Sequence, residues 1–204
     1  MELIPTHDEV VELLREAGAL RTGHFAYPNG LHSKDYLQVA LAMRYFQHAK
    51  ILSVGLSRRL RANSELRAMI PELSIVAPAT GGLPVAYGVC EALRANQVYW
   101  AEREVPEQPM RFRQFMEQHQ GEKVLLVDDI LRTGNKLQQL KKLAEDAGAE
   151  IVGLAVMIYQ PTPKTPSFDP LPLYYLARFE GQYYKDEASC DLCKSGVPVE
   201  RVWV

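Results

Sequence analysis

One segment, residues 123–140 with the sequence KVLLVDDILRTGNKLQQL, limits what this chain can fold into more than any other. Residues 124–127 form a short apolar run of the kind found in strands buried on both faces. Two adjacent acids, Asp128 and Asp129, come next, and a small polar turn follows them. Apolar residues then recur at helical spacing until Gly148, a residue type that commonly ends helices. The order of strand, acidic pair, turn and helix predicts a β–α unit of an α/β fold.

The same segment carries groups that suit phosphate chemistry. Backbone N–H groups at the start of a helix bind phosphate, and carboxylates at a strand end hold a ribose diol or a magnesium ion. Asp128 and Asp129 are therefore candidate ligands, and the turn at residues 133–135 is a candidate phosphate site. A simpler interpretation is also open, in which the two acids only cap the helix and mark a loop.

A second strand–turn–helix unit lies earlier in the chain. Residues 73–77 are apolar except for Ser74 and predict a strand, and the helix after it is expected to continue to about Arg94. The turn between them consists of small residues, namely Ala79, Thr80, Gly81 and Gly82. Small residues suit a second phosphate cradle because bare backbone has to approach the ligand closely. Strands that alternate with helices indicate one parallel sheet, so both turns are expected at the same edge of that sheet.

These two units resemble a known family. Four apolar residues, two acids, two apolar residues and a Thr-Gly turn are similar to the phosphoribosyl-pyrophosphate (PRPP) signature of type I phosphoribosyltransferases. From about Gly23 to the C-terminus the chain looks most like the orotate phosphoribosyltransferases. The resemblance implies an α/β fold with a central, mostly parallel sheet flanked by helices and a small N-terminal hood. It also implies transfer of the phosphoribosyl group of PRPP to a nucleobase, here orotate, by a homodimer that uses Mg²⁺.

The resemblance assigns roles to particular residues. Two groups would bind PRPP: Ala79, Thr80, Gly81 and Gly82 at the first turn, and Asp128, Asp129, Thr133, Gly134, Asn135 and Lys136 at the second. In this assignment the two acids hold the ribose hydroxyls, directly or through the water shell of Mg²⁺. The second turn binds the 5′-phosphate, and the first binds the pyrophosphate. Catalysis would then depend on neutralising the pyrophosphate leaving group, with little need for an acid or a base.

A predicted hairpin at residues 23–39 resembles the hood that covers the base in this family. The resemblance implies that Phe25 and Tyr36 contact the base; the alternative is a plain hairpin in which Tyr36 only packs. Orotate phosphoribosyltransferases usually carry an Arg for the base where Gln160 stands here. Arg132 offers a replacement because a guanidinium suits a carboxylate, and otherwise the accepted base differs from orotate.

Residues 102–120 are polar, contain prolines and lack a helical apolar period, which indicates a long loop or hairpin. The family has a lid at this place, whose cationic residues cover the pyrophosphate and often reach across a dimer. Arg103 matches the leading Arg of that lid, and Arg111 and Arg113 are candidates for its other cations. Arg103 and Arg111 are thus expected to assist catalysis together with the acidic pair. The alternative for Arg111 and Arg113 is a solvated hairpin edge.

Composition limits the remaining classes. A length of 204 residues suits one core domain with small extensions: an N-terminal helix and hood (1–40), the core (41–180) and a C-terminal extension (181–204). The net charge of −2 offers no basic face for nucleic acid. No stretch approaches the roughly 18 apolar residues of a membrane span, and the N-terminus lacks a signal-peptide pattern. A cytoplasmic protein is therefore expected.

Two cysteines near the C-terminus form a CxxC motif. Cys190 and Cys193 resemble half of a zinc knuckle, but a structural zinc site takes four ligands. Because the sequence contains no second CxxC and no HxxxH, bound zinc is not expected. His24, His32 and His119 are interpreted as surface or structural residues.

Two other classes compete with an enzyme. A PRPP-sensing regulator would keep the phosphate cradle without chemistry, and the departures in the lid are compatible with it. A regulator that binds nucleic acid would need a basic patch, which the sequence lacks. A receiver-like signalling domain also carries acids at strand ends, but it would leave residues 79–82 and the later part of the chain unexplained.

Overall fold

A computed structural model describes residues 4–105, 108–113, 120–163 and 165–202. The helices are α1 (His7–Glu16), α2 (Ala40–Met43), α3 (Phe46–Ala62), α4 (Ser64–Met69), α5 (Gly82–Leu93), α6 (Asn135–Asp146) and α7 (Asp191–Lys194), with a 3₁₀ turn at Ile70–Glu72. The strands are β1 (Leu20–Ala26), β2 (His32–Leu37), β3 (Ser74–Pro78), β4 (Gln97–Glu102), β5 (Arg111–Phe112), β6 (Lys123–Leu131), β7 (Glu150–Tyr159), β8 (Leu173–Arg178), β9 (Tyr183–Tyr184) and β10 (Glu200–Arg201). No helix among the described residues is both long and apolar enough to span a membrane.

A central sheet organises the larger part of the molecule. Within the described residues it has six strands in the order β5–β4–β3–β6–β7–β8, and every neighbouring pair except β4–β5 is parallel. Residues of β6 alternate between two cores, since Leu125 and Val127 pack with α3 and α5 while Val124 and Leu126 pack with α6. Helices therefore cover both faces, as a parallel sheet requires. The predicted fold class is confirmed.

Strand β6 is longer than the sequence predicts, and it contains the acidic pair. The apolar run ends at Val127, but the ladder with β7 continues to Leu131, which pairs with Tyr159. Pairing with a neighbouring strand leaves no mark in the apolar pattern, so the prediction placed the end of the strand too early. The two acids consequently lie within the sheet, near its carboxyl edge, rather than in a loop after it.

Helix α1 ties the two parts of the molecule together. Thr6 and Glu9 form a capping box: the Glu9 N–H donates to Thr6 Oγ1 (3.2 Å), and the Thr6 N–H donates to Glu9 Oε2 (2.8 Å). The helix contacts both β1 and β8. Its buried side chains are Val10, Leu13 and Leu14. The capping box therefore fixes the start of a helix that lies between the hood and the central sheet.

The hood is a second sheet, with four strands in the described residues in the order β10–β1–β2–β9. Strands β1 and β2 form the predicted antiparallel hairpin, with Gly30 at φ +83° in its turn. Strand β10 pairs parallel to β1, and β9 pairs antiparallel to β2. The segments predicted as hood (1–40) and C-terminal extension (181–204) thus share one sheet. Strands β9 and β10 have two residues each, too few for an alternating pattern to reveal them.

Two of the three histidines that were predicted to be surface or structural residues lie inside the hood. His24 is 3% exposed and His32 is 8% exposed, so a surface position is wrong for both. The reason is that the C-terminal segment folds back over the β1–β2 hairpin and covers them. His119 lies outside the described residues.

Candidate active site

Asp128 and Asp129 lie side by side on β6 and are almost fully buried, with 2% and 8% of their surfaces exposed. The Asp129 N–H donates to Asp128 Oδ1 (2.9 Å), and the Ile130 N–H donates to Asp129 Oδ1 (2.8 Å). These bonds to local backbone fix the orientation of both carboxyl groups. Two rigidly held carboxyl groups at a sheet edge are suited to bind a diol or a divalent cation.

The turn of small residues packs directly against the acidic pair. A Cβ atom on Gly81 would lie 3.1 Å from Asp129 Oδ2, and one on Gly82 would lie 3.2 Å from Asp128 Oδ1. Both separations are tighter than ordinary van der Waals contacts, so glycine is what allows the turn and the acids to meet. The turns after β3 and β6 therefore lie together at one edge of the sheet, as predicted.

The start of α6 lies next to the acids. Gly134 caps the helix with φ +77°, and a Cβ atom there would lie 2.7 Å from Cδ of Pro166. Glycine offers no side chain to bind the first N–H groups of the helix, and such groups attract anions. Thr133, Asn135 and Lys136 are exposed around this turn. The local structure is thus a helix N-terminus that can bind a phosphate.

The acidic pair and the start of α6 line a cavity of about 670 Å³, whereas residues 79–82 pack behind the acids and are not among its lining residues. One part of its lining is continuous chain, residues 128–137, which includes the acidic pair and the start of α6. Another part comes from the hood, with Tyr27, Asn29, Leu31 and Tyr183. Small-molecule sites typically measure about 300–1,000 Å³. The cavity therefore has the size of a ligand site, and it lies between the core and the hood.

Burial controls the protonation of Asp128. Its enclosure raises the pKa of the carboxyl group well above the ordinary value, and the neighbouring Asp129 raises it further. The ammonium group of Lys136 lowers the same pKa by a smaller amount. Asp128 therefore stays neutral over a wider pH range than a free aspartate, and a cation bound at the pair would favour its ionised form.

Arg132 brings a cation to the boundary between core and hood. Its Nε donates to Gln160 Oε1 (2.8 Å), and its Nη2 donates to the carbonyl oxygen of Leu37 at the end of β2 (3.1 Å). Gln160 is 4% exposed and also accepts a bond from the Tyr183 hydroxyl (3.2 Å). The guanidinium of Arg132 thus stands against Gln160, the position where orotate phosphoribosyltransferases usually carry an Arg. Its contact with a base stays a prediction.

Tyr27 and Tyr183 are cavity residues that the sequence analysis missed. Their ring centroids lie 6.2 Å apart. Burial, reinforced by Tyr183, raises the pKa of Tyr27 to about 12, and burial also raises the pKa of Tyr183. Both phenols are therefore neutral near pH 7. Tyr27 could have been found, since it follows Phe25 by two residues before the hairpin turn, but the two-residue strand of Tyr183 carries no sequence signal.

Phe25 and Tyr36 pack inside the hood and are not among the residues that line the cavity. They are 3% and 4% exposed, and their ring centroids lie 5.6 Å apart. The Arg21 guanidinium lies over both rings, 5.1 Å from the centroid of Phe25 and 4.7 Å from that of Tyr36. This arrangement corresponds to the packing alternative for Tyr36, and contact of either ring with a base stays a prediction.

Arg103 and Arg111 belong to the described part of the lid segment. Strand β5 pairs antiparallel to β4, so this part forms a hairpin. Arg103 Nη2 donates to Oε1 of Gln139 on α6 (2.6 Å), and Arg111 forms an ion pair with Glu104. Neither arginine is among the residues that line the cavity. Several residues of the predicted lid lie outside the described part of the chain, and the catalytic role of the two arginines stays a prediction.

The fold and the site define a class of protein. A parallel α/β sheet presents a helix N-terminus, a glycine turn and two carboxyl groups at its carboxyl edge, which suits a phosphorylated sugar. The chain matches the family model described as Phosphoribosyl transferase domain over residues 57–170. This protein therefore belongs to the phosphoribosyltransferase family, and the resemblance to type I members is confirmed.

The individual proteins that this chain resembles include several orotate phosphoribosyltransferases. The chain is 33% identical to the orotate phosphoribosyltransferase of Carboxydothermus hydrogenoformans, over 94% of both sequences. It is 30% identical to that of Thermotoga petrophila, over 94% of this chain and 96% of the relative. Among solved structures, the orotate phosphoribosyltransferase of Mycobacterium tuberculosis superposes with a TM-score of 0.67 at 20% identity, covering 85% of this chain and 96% of that one. The orotate phosphoribosyltransferase from Aeropyrum pernix superposes with a TM-score of 0.66 at 17% identity, covering 83% of this chain and 93% of that one.

Proposed function

We propose that this protein transfers the phosphoribosyl group of PRPP to orotate, with orotidine 5′-monophosphate and pyrophosphate as products, in pyrimidine biosynthesis. The observation that carries the proposal is the cavity in which the acidic pair and the start of α6 lie near the guanidinium of Arg132. The first two features suit a sugar phosphate, and the third suits a ring with a carboxylate. The names of the curated relatives support the same activity.

PRPP would be held through its three polar parts. The N–H groups at residues 133–136, with the Thr133 hydroxyl, would bind the 5′-phosphate at the start of α6. Asp128 and Asp129 would bind the ribose hydroxyls. The backbone of residues 79–82 would bind the pyrophosphate, since the close packing of Gly81 on Asp129 brings this turn next to the sugar site.

The acidic pair also suits Mg²⁺, which prefers carboxylate and water oxygens. Asp128 and Asp129 would hold the ion, directly or through water. Burial and, to a smaller extent, the neighbouring Asp129 raise the pKa of Asp128, and a bound cation would favour its ionised form. When bound, Mg²⁺ would neutralise charge on the pyrophosphate.

The reaction itself is a substitution at C1 of the ribose. A ring nitrogen of the base forms the new bond to C1 while the bond from C1 to the pyrophosphate oxygen breaks, with inversion at C1. The N–H bond of that ring nitrogen also breaks, and its proton leaves to solvent. Arg103 and Arg111 would stabilise the negative leaving group once the lid closes. Hydrogen exchange over residues 102–120, with and without PRPP and Mg²⁺, tests this closure; equal exchange in both states would count against it.

The base would occupy the part of the cavity next to the hood. Arg132 would offset the carboxylate of orotate, and the rings of Tyr27 and Tyr183 would lie against the base. Phe25 and Tyr36 would support this wall from behind, because they form one cluster with Tyr27, and Tyr183 packs against that cluster. A planar guanidinium binds a carboxylate in a bidentate manner, which fixes the orientation of the ring.

We also infer a homodimer in the cytoplasm. Large apolar side chains stay exposed on two helices that contact each other: Tyr45 and Phe46 at the start of α3, Ile51 within it and Tyr87 on α5. Such exposure is typical of a surface that a second subunit covers. All three cysteines are free, which fits a reducing compartment.

A base panel tests the activity. Pyrophosphate release would be measured with PRPP, Mg²⁺ and, in turn, orotate, uracil, adenine and hypoxanthine. Turnover with orotate alone is expected, because only orotate offers a carboxylate to Arg132. Turnover with another base would assign a different phosphoribosyltransferase activity. PRPP binding without turnover on any base would indicate the alternative of a PRPP-binding regulator.

A further inference from the structure

The fold brings together four side chains of the types that bind zinc. His24 and His32 come from the hood strands β1 and β2, and Cys190 and Cys193 come from the C-terminal segment around α7. One candidate ligand atom from each of the four lies within 4.8 Å of all the others. Residues 24 and 190 are 166 positions apart in sequence, so no local motif could predict the cluster. The expectation that the CxxC lacks partners is therefore wrong.

The distances in the cluster approach those of a tetrahedral centre. With zinc bonds of about 2.0–2.1 Å to nitrogen and about 2.3 Å to sulfur, neighbouring ligand atoms should lie about 3.3–3.8 Å apart. Cys193 Sγ is 3.4 Å from His24 Nε2 and 3.4 Å from His32 Nδ1. Cys190 Sγ is 3.5 Å from His24 Nε2. The two ring nitrogens are 2.9 Å apart, so they need to separate by only about half an ångström to admit an ion.

A backbone contact orients His24 as a metal ligand. His24 Nδ1 lies 2.8 Å from the carbonyl oxygen of Val197, which can only accept a hydrogen bond. The proton of the neutral ring is therefore on Nδ1, and the lone pair of Nε2 points at the two sulfur atoms and at His32. A carbonyl or carboxylate that fixes the far nitrogen in this way commonly accompanies histidine ligands of zinc.

The turn that carries the cysteines is built to present both sulfurs to one point. The Lys194 N–H donates to the Cys190 carbonyl oxygen (3.1 Å), and the Gly196 N–H donates to the Cys193 carbonyl oxygen (3.0 Å), with Gly196 at φ +69°. Cys190 is fully buried, and His24 and His32 are almost so. Three of the four metal-binding groups are thus buried and Cys193 is half-buried, and none of them is among the residues that line the cavity.

We propose that His24, His32, Cys190 and Cys193 bind one structural zinc ion that fastens the C-terminal segment to the hood. The chemistry favours zinc because two sulfur and two nitrogen ligands in tetrahedral geometry suit Zn²⁺. All four protein ligands are present, so the site is closed and needs no water or substrate.

The position of the site explains what the ion does. Strand β10 pairs with β1 at only two residues, through Phe25 with Glu200 and Ala26 with Arg201, and β9 is equally short. Such short strands bury little apolar surface, and a structural metal supplies the missing folding energy in small elements of this kind. His24 directly precedes Phe25, so the ion clamps β1 at the place where the C-terminal strand joins it.

Metal analysis tests the proposal on the unmodified protein. Untagged protein, purified under reducing conditions without chelator, is expected to contain about one zinc per chain by mass spectrometry of the elements. The double variant Cys190→Ser, Cys193→Ser is expected to lose the zinc, while Cys90→Ser, which removes the remaining cysteine on α5, is expected to keep it. Iron at the same stoichiometry, or protein that neither contains zinc nor takes it up at equimolar concentration, would overturn the proposal.

Cobalt provides a readout that does not depend on folding of the double variant. After zinc is removed from the unmodified protein and from Cys90→Ser, Co²⁺ should give the visible bands of a tetrahedral centre and a thiolate charge-transfer band. An octahedral spectrum without charge transfer would contradict the ligand set. A chelator should also lower the melting temperature of both proteins, with zinc restoring it. None of these measurements involves PRPP, so their results do not depend on whether the proposed activity is correct.

Discussion

Asp128 is a buried acid on β6, directly next to Asp129. It is enclosed by the sheet and by the glycine turn, where Gly82 leaves no room for a side chain. Enclosure raises the pKa of its carboxyl group, and the adjacent acid adds to the effect. A buried acid with a raised pKa costs folding free energy near neutral pH. Such a residue in a ligand-sized cavity is typical of a functional group.

The raised pKa of Asp128 predicts how Asp128→Asn changes stability. In the unfolded chain the carboxyl group titrates near its ordinary value of about 3.9. Between that value and the raised pKa of the folded state, the folded protein holds a proton that the unfolded chain has released, so the free energy of unfolding falls as the pH rises. Asparagine does not titrate, and the variant should escape this loss. Its melting temperature should exceed that of the unmodified protein by at least about 2 °C at pH 8, with little difference near pH 4.

A matched variant separates this effect from a general change of charge. Asp146→Asn removes an exposed carboxylate of α6 that pairs with Lys142 and should give no such gain. Thermal unfolding of the three proteins between pH 4 and pH 8 is the measurement. A variant at residue 128 that loses stability relative to the unmodified protein as the pH rises would show that burial does not dominate there.

Arg132→Ala tests the base site at a single residue. Loss of a charge-assisted bond to a bound carboxylate costs about 1.5–3 kcal/mol, or roughly ten- to a hundred-fold in affinity. The variant should therefore weaken orotate binding by that factor and change PRPP affinity less. Arg178→Ala is the control, because Arg178 is the last residue of β8 and pairs with Glu180 on the surface. A larger loss for PRPP than for orotate would place the guanidinium at the pyrophosphate instead.

The sequence identified side chains by type better than by surroundings. The acidic pair, the Thr-Gly turn and Arg132 were all predicted, because motif spacing reports chemistry directly. Burial of the pair was not, since it depends on the ladder from β6 to β7. Tyr183 was missed for the same reason: it reaches the cavity through tertiary structure, and its own strand has only two residues.

At the scale of elements, the turn before α6 depends on Gly134. An alanine there would have to adopt φ +77° and would place its Cβ atom 2.7 Å from Cδ of Pro166. Gly121 has nearly the same backbone, at φ +76°, with nothing within 4 Å of a Cβ atom. Gly121→Ala therefore measures the backbone cost alone, about 1–2 kcal/mol.

Gly134→Ala should cost more than Gly121→Ala, because it adds the clash to the backbone strain. Displacement of the helix start should also weaken PRPP binding, whereas Gly121→Ala should leave it unchanged. Thermal unfolding and PRPP titration of both variants are the measurements. Equal losses of stability, or unchanged PRPP binding in Gly134→Ala, would contradict the role given to this turn.

Features that depend on nearby residues could be predicted from the sequence, and features that depend on distant residues could not. The capping box at Thr6, the hairpin turn at Gly30 and the helix stop at Gly148 all lie where local residue types predict them. Their stabilising contacts are made within a few residues, so local sequence contains the information. Strands β9 and β10 exist only because the hood offers them an edge, which no window of sequence can reveal.

At the scale of the whole molecule, the N-terminal and C-terminal parts of the chain meet in the hood. Its N-terminal hairpin and its C-terminal segment form one sheet and together cover the cavity beside the core. The four side chains at the zinc site join the same two segments. These segments were predicted as separate parts of the chain, because contacts between residues so far apart in sequence leave no periodic pattern.

The exposed apolar side chains of α3 and α5 predict the oligomeric state. Phe46→Asp combined with Tyr87→Asp should convert a dimer into a monomer in sedimentation velocity at micromolar concentration, because buried unpaired charges oppose association. Val199→Asp serves as the control, since Val199 is an exposed apolar residue on the C-terminal segment, at 45% exposure. An unmodified protein that sediments as a monomer, or a double variant that stays dimeric, would refute the interface.

The central claim is that PRPP binds at the meeting point of the acidic pair, the glycine turn and the start of α6. Calorimetric titration of PRPP in the presence of Mg²⁺ tests it most directly. Three proteins are compared: the unmodified protein, the double variant Asp128→Asn/Asp129→Asn, and a control double variant, Glu145→Gln/Asp146→Asn. The control removes two exposed acids from α6 that pair with lysines. We expect the unmodified and control proteins to bind PRPP alike, and the variant of the acidic pair to bind at least about a hundred-fold more weakly, or about 2.7 kcal/mol. Unchanged affinity in that variant would contradict the account.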